Sequence, residues 1–233
     1  MLSSRTKYDL ANYFSRIPKS TRNQVTHIAM DMWQTYRDVT QVYFPKAKIC
    51  VDSFHVISMI SRAFQSVRVR VMNSFERGSD EYYLIKKFSW LLNKNFHNTC
   101  KMRYLRVHKN TSLLKYRHHI PAVELLNSDL SLDPELEIAY LLKYEYEQIN
   151  SKCTDKTIEI RLEKYIEDLA IFNLREFETV KKALKNWKQE IINSFDAVDD
   201  RHISNGPVES VNSRIKLMKF SSTGYGNFER FRK

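Results

Sequence analysis

An α/β fold, mostly helical by content, is what this sequence predicts, and three observations carry the prediction. Residues 25–30 and 47–51 are short, continuous apolar runs, each followed by a helical pattern. From about 75 to 200 apolar residues recur at helical spacing almost throughout. The chain of 233 residues holds only 4 glycines, three of them after residue 205, a scarcity that suits long helices with few tight turns.

Taken in order, residues 5–17 read as an amphipathic helix through Tyr8, Leu10, Tyr13 and Phe14, ended by Ile17-Pro18. Val-Thr-His-Ile-Ala-Met at 25–30 reads as a short buried strand closing on Asp31. Residues 33–44 are helical, with Trp33, Tyr36, Val39 and Tyr43 on one side and Pro45 as the stop. Ala-Lys-Ile-Cys-Val at 47–51 is a second strand, closing on Asp52. A long helix starts near Ser53 and carries Val56, Ile60, Phe64, Val67 and Val71. Strand, helix, strand, helix gives two parallel strands with a right-handed crossover. Both strands are apolar throughout, as expected when both sheet faces are covered. Beyond residue 75, Asp133-Pro134-Glu135 supplies an N-cap, a proline at the first helical position and an acid on the helix dipole. Further stripes run through Ile158, Leu162, Tyr165, Ile166, Leu169 and Phe172, and through Phe177, Val180, Leu184, Trp187, Ile191 and Phe195. They read as packing faces of a helical bundle.

The net charge of +11 favours a polyanionic partner, and 42% hydrophobic residues exclude a disordered polycation. Cys50, Cys100 and Cys153 are isolated, so neither a zinc knuckle nor a disulfide framework is supported and a reduced, cytoplasmic setting fits. No apolar run spans a bilayer. Serine-hydrolase and P-loop signatures are absent.

The richest stretch is Ser204-Asn205-Gly206-Pro207-Val208-Glu209-Ser210-Val211-Asn212-Ser213-Arg214-Ile215-Lys216. Asn-Gly-Pro punctuates the chain and opens a helix. Glu209, Asn212 and Lys216 then share one helical face. Asp31 and Asp52 close neighbouring strands, at the carboxyl ends where such sheets build sites. Carboxylates gathered in this way suit Mg²⁺ or Mn²⁺ and two-metal phosphoryl transfer. The competing reading is that Asp31 and Asp52 cap the helices after them. His55 reads as a hydrogen-bonded, half-buried histidine, and His118-His119 as a surface pair.

Five segments occur in a set order: Asp31-Met32-x-x-x-Tyr36, Phe44-Pro45-x-Ala47, Asp52-x-Phe54-His55, Asn205-Gly206-x-x-Glu209-x-x-Asn212-x-x-Ile215-Lys216 and Gly224-Tyr225-Gly226-Asn227-x-x-x-Phe231. Together they resemble the catalytic domain of bacterial insertion-sequence transposases of the DDE class, specifically the ISL-three group. The resemblance implies a partial RNase H-like fold with a large all-helical insertion before the last catalytic helix. In domain terms it implies a partial RNase H-like core over 1–74, a helical insertion over 75–200, and the last catalytic helix with a basic tail over 201–233. It implies metal-dependent DNA strand cleavage and transfer. Asp31 and Glu209 would be catalytic metal ligands, with Asp52 a further catalytic acid that competes with Asp31 for the second place of the triad. His55 would support the site. Asn205, Asn212, Arg214, Lys216 and Lys219 would contact DNA. The partners would be element-end and target DNA and a second or full-length transposase chain, in the bacterial cytoplasm at the nucleoid. The pattern departs from the family at its start: the only aspartate before Asp31 is Asp9, inside an apparent helix. The sequence therefore reads as a truncated, C-terminal transposase portion, inactive alone, with an inhibitory DNA- or transposase-binding remnant as the alternative.

Overall fold

The structure is a computed structural model that describes residues 6–108, 112–114, 117–198 and 201–221. Among these the order is α1 (Lys7–Ser15), α2 (Lys19–Arg22), β1 (His27–Met30), α3 (Gln34–Tyr43), β2 (Lys48–Val51), α4 (Ser53–Ser74), α5 (Asp80–Lys87), α6 (Ser89–Asn93) and α7 (Phe96–Cys100). There follow β3 (Tyr104–Arg106), β4 (His119–Pro121), α8 (Ala122–Leu130), α9 (Pro134–Lys152), α10 (Ile158–Phe172), α11 (Glu178–Asn186), α12 (Lys188–Asn193), β5 (Ala197–Val198), β6 (Arg201–His202) and α13 (Gly206–Ser221). The fold is mostly helical with little sheet, as the composition predicts. No helix among the described residues is long and apolar enough to cross a membrane. The chain divides into two compact units, residues 1–55 with 187–233, and residues 56–186.

The first unit is organised by β1 and β2, which pair in parallel with Ile28 opposite Ile49 and Met30 opposite Val51. Their connection through α3 is the predicted crossover. Thr6 caps α1 by accepting the Asp9 N–H, and its hydroxyl donates to the Asp9 carboxylate, so Asp9 is spent on helix capping. Of the stripe predicted for α1, Leu10 is buried whereas Tyr8 and Tyr13 are exposed. Tyr8 and Leu10 lie about 200° apart around a helix, so one face cannot bury both. Phe14 holds α1 to the end of α3, meeting Phe44 edge-on at 5.0 Å between ring centroids.

α12 packs against β2. The Asn193 side-chain amide donates to the Ile49 carbonyl at 2.9 Å, and the buried Cys50 thiol donates to the Asn193 carbonyl. Arg37 from α3 pairs with Glu190 at 2.7 Å and stacks on Trp187, 3.9 Å from the ring centroid. Among the described residues β1 pairs with β2 alone.

The second unit is a helical bundle. Phe64, Val67, Leu84, Leu91, Leu125, Leu136, Tyr146, Leu162, Tyr165 and Phe177 are buried in it. Asp133 caps α9 as predicted, accepting the Glu135 and Leu136 N–H groups. Asn173, in the left-handed region at φ 46°, ends α10. Phe172, counted in the α10 stripe, is exposed beyond the buried turn that ends at Leu169.

Two short antiparallel ladders interrupt the helical reading: β3 with β4, Leu105 opposite Ile120, and β5 with β6. Two or three residues per strand are too few for an alternating pattern to stand out in the sequence. The stripe over 177–195 is also cut at Trp187, whose φ of −110° and ψ of 17° leave the helical region.

Candidate active site

Chain topology gathers the predicted acids within the first unit. β1 delivers Asp31 and β2 delivers Asp52, because parallel neighbours end on the same side of a sheet. His55 lies in the first turn of α4, and Glu209 in the first turn of α13. Ligand atoms of Asp52, His55 and Glu209 all lie within 4.8 Å of one another. His55 Nε2 lies 2.7 Å from Asp31 Oδ1, so all four residues form one connected cluster.

The two strand-end acids differ in surroundings. Asp31 lines a pocket, and its side chain is 48% exposed. Asp52 is 3% exposed, and both its oxygens accept backbone N–H groups: Oδ1 from Phe54 at 3.0 Å and Oδ2 from Asn205 at 3.2 Å. The first of these bonds is the helix cap that an Asp before a helix provides. Capping and membership of the acidic cluster are therefore compatible at Asp52.

The pocket has a volume of about 580 Å³. Its lining combines the apolar side chains of Leu10, Phe14, Ile28, Met30 and Val39 with the polar ones of Asp31, His55, Asn205, Glu209, Asn212 and Lys216. Glu209, Asn212 and Lys216 thus share the pocket-lining face of α13, as their spacing predicts. Arg214, one residue out of that phase, is exposed on α13. Lys219 belongs to α13, but its side chain lies outside the described residues, as does the Gly224–Phe231 segment. Leu10, Phe14 and Tyr36 were legible only as helix-packing positions; their place in the pocket wall follows from α1 and α3 packing together beside β1.

The base of β2 has its own charge cluster. Lys48 donates to Asp196 at 2.6 Å, and His27 Nε2 lies 3.3 Å from the same oxygen. The Lys48 hydrogen bond holds the Asp196 carboxyl below its usual range. Burial pushes the Cys50 thiol up to about 12, so this cysteine stays a protonated, packing side chain.

The donor set near the pocket is carboxylate oxygen with one imidazole, and neither Cys50 nor another thiol joins the cluster found among the described residues. That chemistry suits a divalent cation and disfavours a soft, thiolate-bound metal. Compared with known protein families, the chain matches the DDE-type ISL3 transposase family over residues 1–233. No curated protein and no solved structure matches it.

Proposed function

The chain belongs to the ISL3 family of DDE transposases, and on that premise we propose that its first unit is the metal-binding part of an RNase H-like core that cuts and joins DNA. The observation that carries this reading is convergence. Asp31 from one strand end and Glu209 from a distant helix line one pocket beside Lys216 of α13, and Asp52 from the neighbouring strand end joins them through His55 and Glu209.

Asp31 and Glu209 would hold Mg²⁺ or Mn²⁺. Bound, such ions lower the pKa of water and offset charge on a phosphate. Asp31 is favoured over Asp52 as the pocket-facing acid because Asp52 is buried and both its oxygens already accept N–H groups. Asp52 would anchor the start of α4 and the approach to α13 while adding negative charge behind the site. His55 would hold Asp31 Oδ1 in place. Asn212 and Lys216, from the same face as Glu209, would receive DNA phosphate, with Arg214 and Lys219 further along the helix. The partners in this reading are element-end and target DNA and a further transposase chain.

A DDE site takes three acids. Among the described residues the elements before β1 are helices, and Asp9 is engaged in capping α1. Strand cleavage would then need an acid-bearing strand beside the edge of β1 that has no partner among the described residues. The reading is tested by titrating Mn²⁺ into the 233-residue chain and following the free-ion signal by electron paramagnetic resonance. Binding should be saturable and lost in Glu209→Gln and Asp31→Asn. Binding that neither substitution changes would refute it. Metal-dependent cleavage should appear when a segment carrying a further Asp-bearing strand is supplied, and should vanish with Glu209→Gln.

A further inference from the structure

Asn205, expected from its motif to contact DNA, stands instead at a junction between the acids. Its side-chain amide donates from Nδ2 to Asp31 Oδ1 at 3.3 Å. Its backbone N–H donates to Asp52 Oδ2 at 3.2 Å. Its carbonyl accepts the Glu209 N–H at 2.9 Å, the first helical bond of α13. One residue therefore touches both strand-end carboxylates and the backbone of the third acid.

We infer that Asn205 is a positioning residue for the metal site, acting through Asp31 and Glu209 and not through DNA. The inference rests on the metal-site reading above. Three features carry it. First, Nδ2 and His55 Nε2 converge on the same oxygen of Asp31, so Oδ1 is held from two directions. A carboxylate fixed through one oxygen presents its other oxygen in a defined direction, and hydrogen bonds of this kind orient metal ligands. Second, Glu209 follows Asn205 by four residues, one helical turn, and the two are joined by a backbone hydrogen bond. Where Asn205 sits decides where Glu209 starts. Third, the backbone N–H and one side-chain N–H of Asn205 are engaged with carboxylates, which ties its side-chain position to Asp31.

An apolar replacement would leave Asp31 with the single bond from His55 and free to rotate. The cost would fall on the order of the metal site, with the fold retained, because the backbone bonds of residue 205 to Asp52 and Glu209 do not need its side chain. Losing such an orienting partner typically weakens metal affinity by about 10- to 100-fold.

The experiment compares the 233-residue chain with Asn205→Ala and Asn205→Ser, with Glu209→Gln as control. Serine keeps a favourable residue ahead of the helix, so α13 forms, but its hydroxyl is too short to replace the carboxamide at Asp31. Mn²⁺ affinity is read by electron paramagnetic resonance, fold by thermal unfolding, and Asp31 by the carbon-13 resonance of its carboxyl group. We expect both Asn205 variants to bind Mn²⁺ at least about tenfold more weakly, with unfolding temperature and DNA affinity unchanged and the Asp31 resonance shifted. Mn²⁺ affinity within twofold of wild type in both variants, while Glu209→Gln abolishes binding, overturns the inference and leaves the metal site standing. Loss of DNA affinity without loss of Mn²⁺ affinity also overturns it, in favour of a DNA contact. Wild-type binding that Glu209→Gln does not alter overturns the metal-site reading and this inference together.

Discussion

Asp129→Asn should flatten the pH dependence of stability of the helical unit. Asp129 lies on α8, is 0% exposed, and neither carboxylate oxygen has a hydrogen-bond partner among the described residues. Burial alone pushes its carboxyl up from 3.8 to about 8. A charged carboxylate without partners is strongly disfavoured there, so the native state keeps the proton that the unfolded chain releases. The folded form is thus the tighter proton binder. Its advantage is complete below pH 3.8 and is lost as the pH rises through about 8. Between pH 5 and pH 8 the wild type should lose about 3 to 4 kcal/mol relative to a variant that cannot ionise at this position. Asparagine is close in shape to the protonated acid, so the two proteins should have similar stability below about pH 3.8, where Asp129 keeps its proton in both states. The variant should then gain steadily on the wild type toward pH 8. Urea unfolding followed by far-ultraviolet circular dichroism at half-unit pH steps measures the gap, and other carboxylates cancel in the difference. Parallel pH profiles for the two proteins would refute the reasoning, because they would mean that Asp129 titrates alike in both states.

Three further outcomes are expected. Duplex DNA binding should weaken with salt, and Arg214→Ala with Lys216→Ala should reduce the slope of log affinity against log salt by about 0.9 for each phosphate that α13 no longer neutralises; fluorescence anisotropy across a salt series checks this, and an unchanged slope counts against an α13 interface. Asp133→Ala removes the acceptor for two N–H groups at the start of α9 and should cost about 1 kcal/mol in urea unfolding. Arg37→Met leaves the nearly buried Glu190 unpaired and strips the cation from Trp187, so it should destabilise the first unit by about 3 kcal/mol and change Trp187 fluorescence.

The elements that were legible in the sequence are those whose signal is local. Apolar runs at β1 and β2, the stop at Pro45 and the Asp133-Pro134 cap each follow from the residues beside them. The alignment of Glu209, Asn212 and Lys216 follows from helical periodicity. What stayed hidden depends on partners far along the chain. Asn205 could be singled out as a polar residue ahead of a helix, but its two carboxylate partners come from Asp31 and Asp52. The β3–β4 ladder was hidden because its strands are three residues long and lie within a helical stretch. Tyr8, read as part of the amphipathic stripe of α1, and Trp33, placed on one side of the following helix, are both exposed, since an aromatic residue fits a helix surface as readily as a core.

The first unit closes on itself across a long excursion of the chain, and this explains how acids so distant in sequence reach one pocket. The chain leaves at His55 and returns at Trp187. The return is fixed by contacts made wholly within the first unit: Arg37 stacked on Trp187 and paired with Glu190, and Asn193 bonded to the β2 backbone. With α12 seated on β2, few residues separate the sheet from Asn205, and the bonds of Asn205 to Asp31 and Asp52 set the start of α13. Glu209 then follows one turn later. The geometry of the cluster is thereby set by the sheet and by α12, so residues 56–186 can vary in length without moving the acids, provided that Trp187, Glu190 and Asn193 keep their partners.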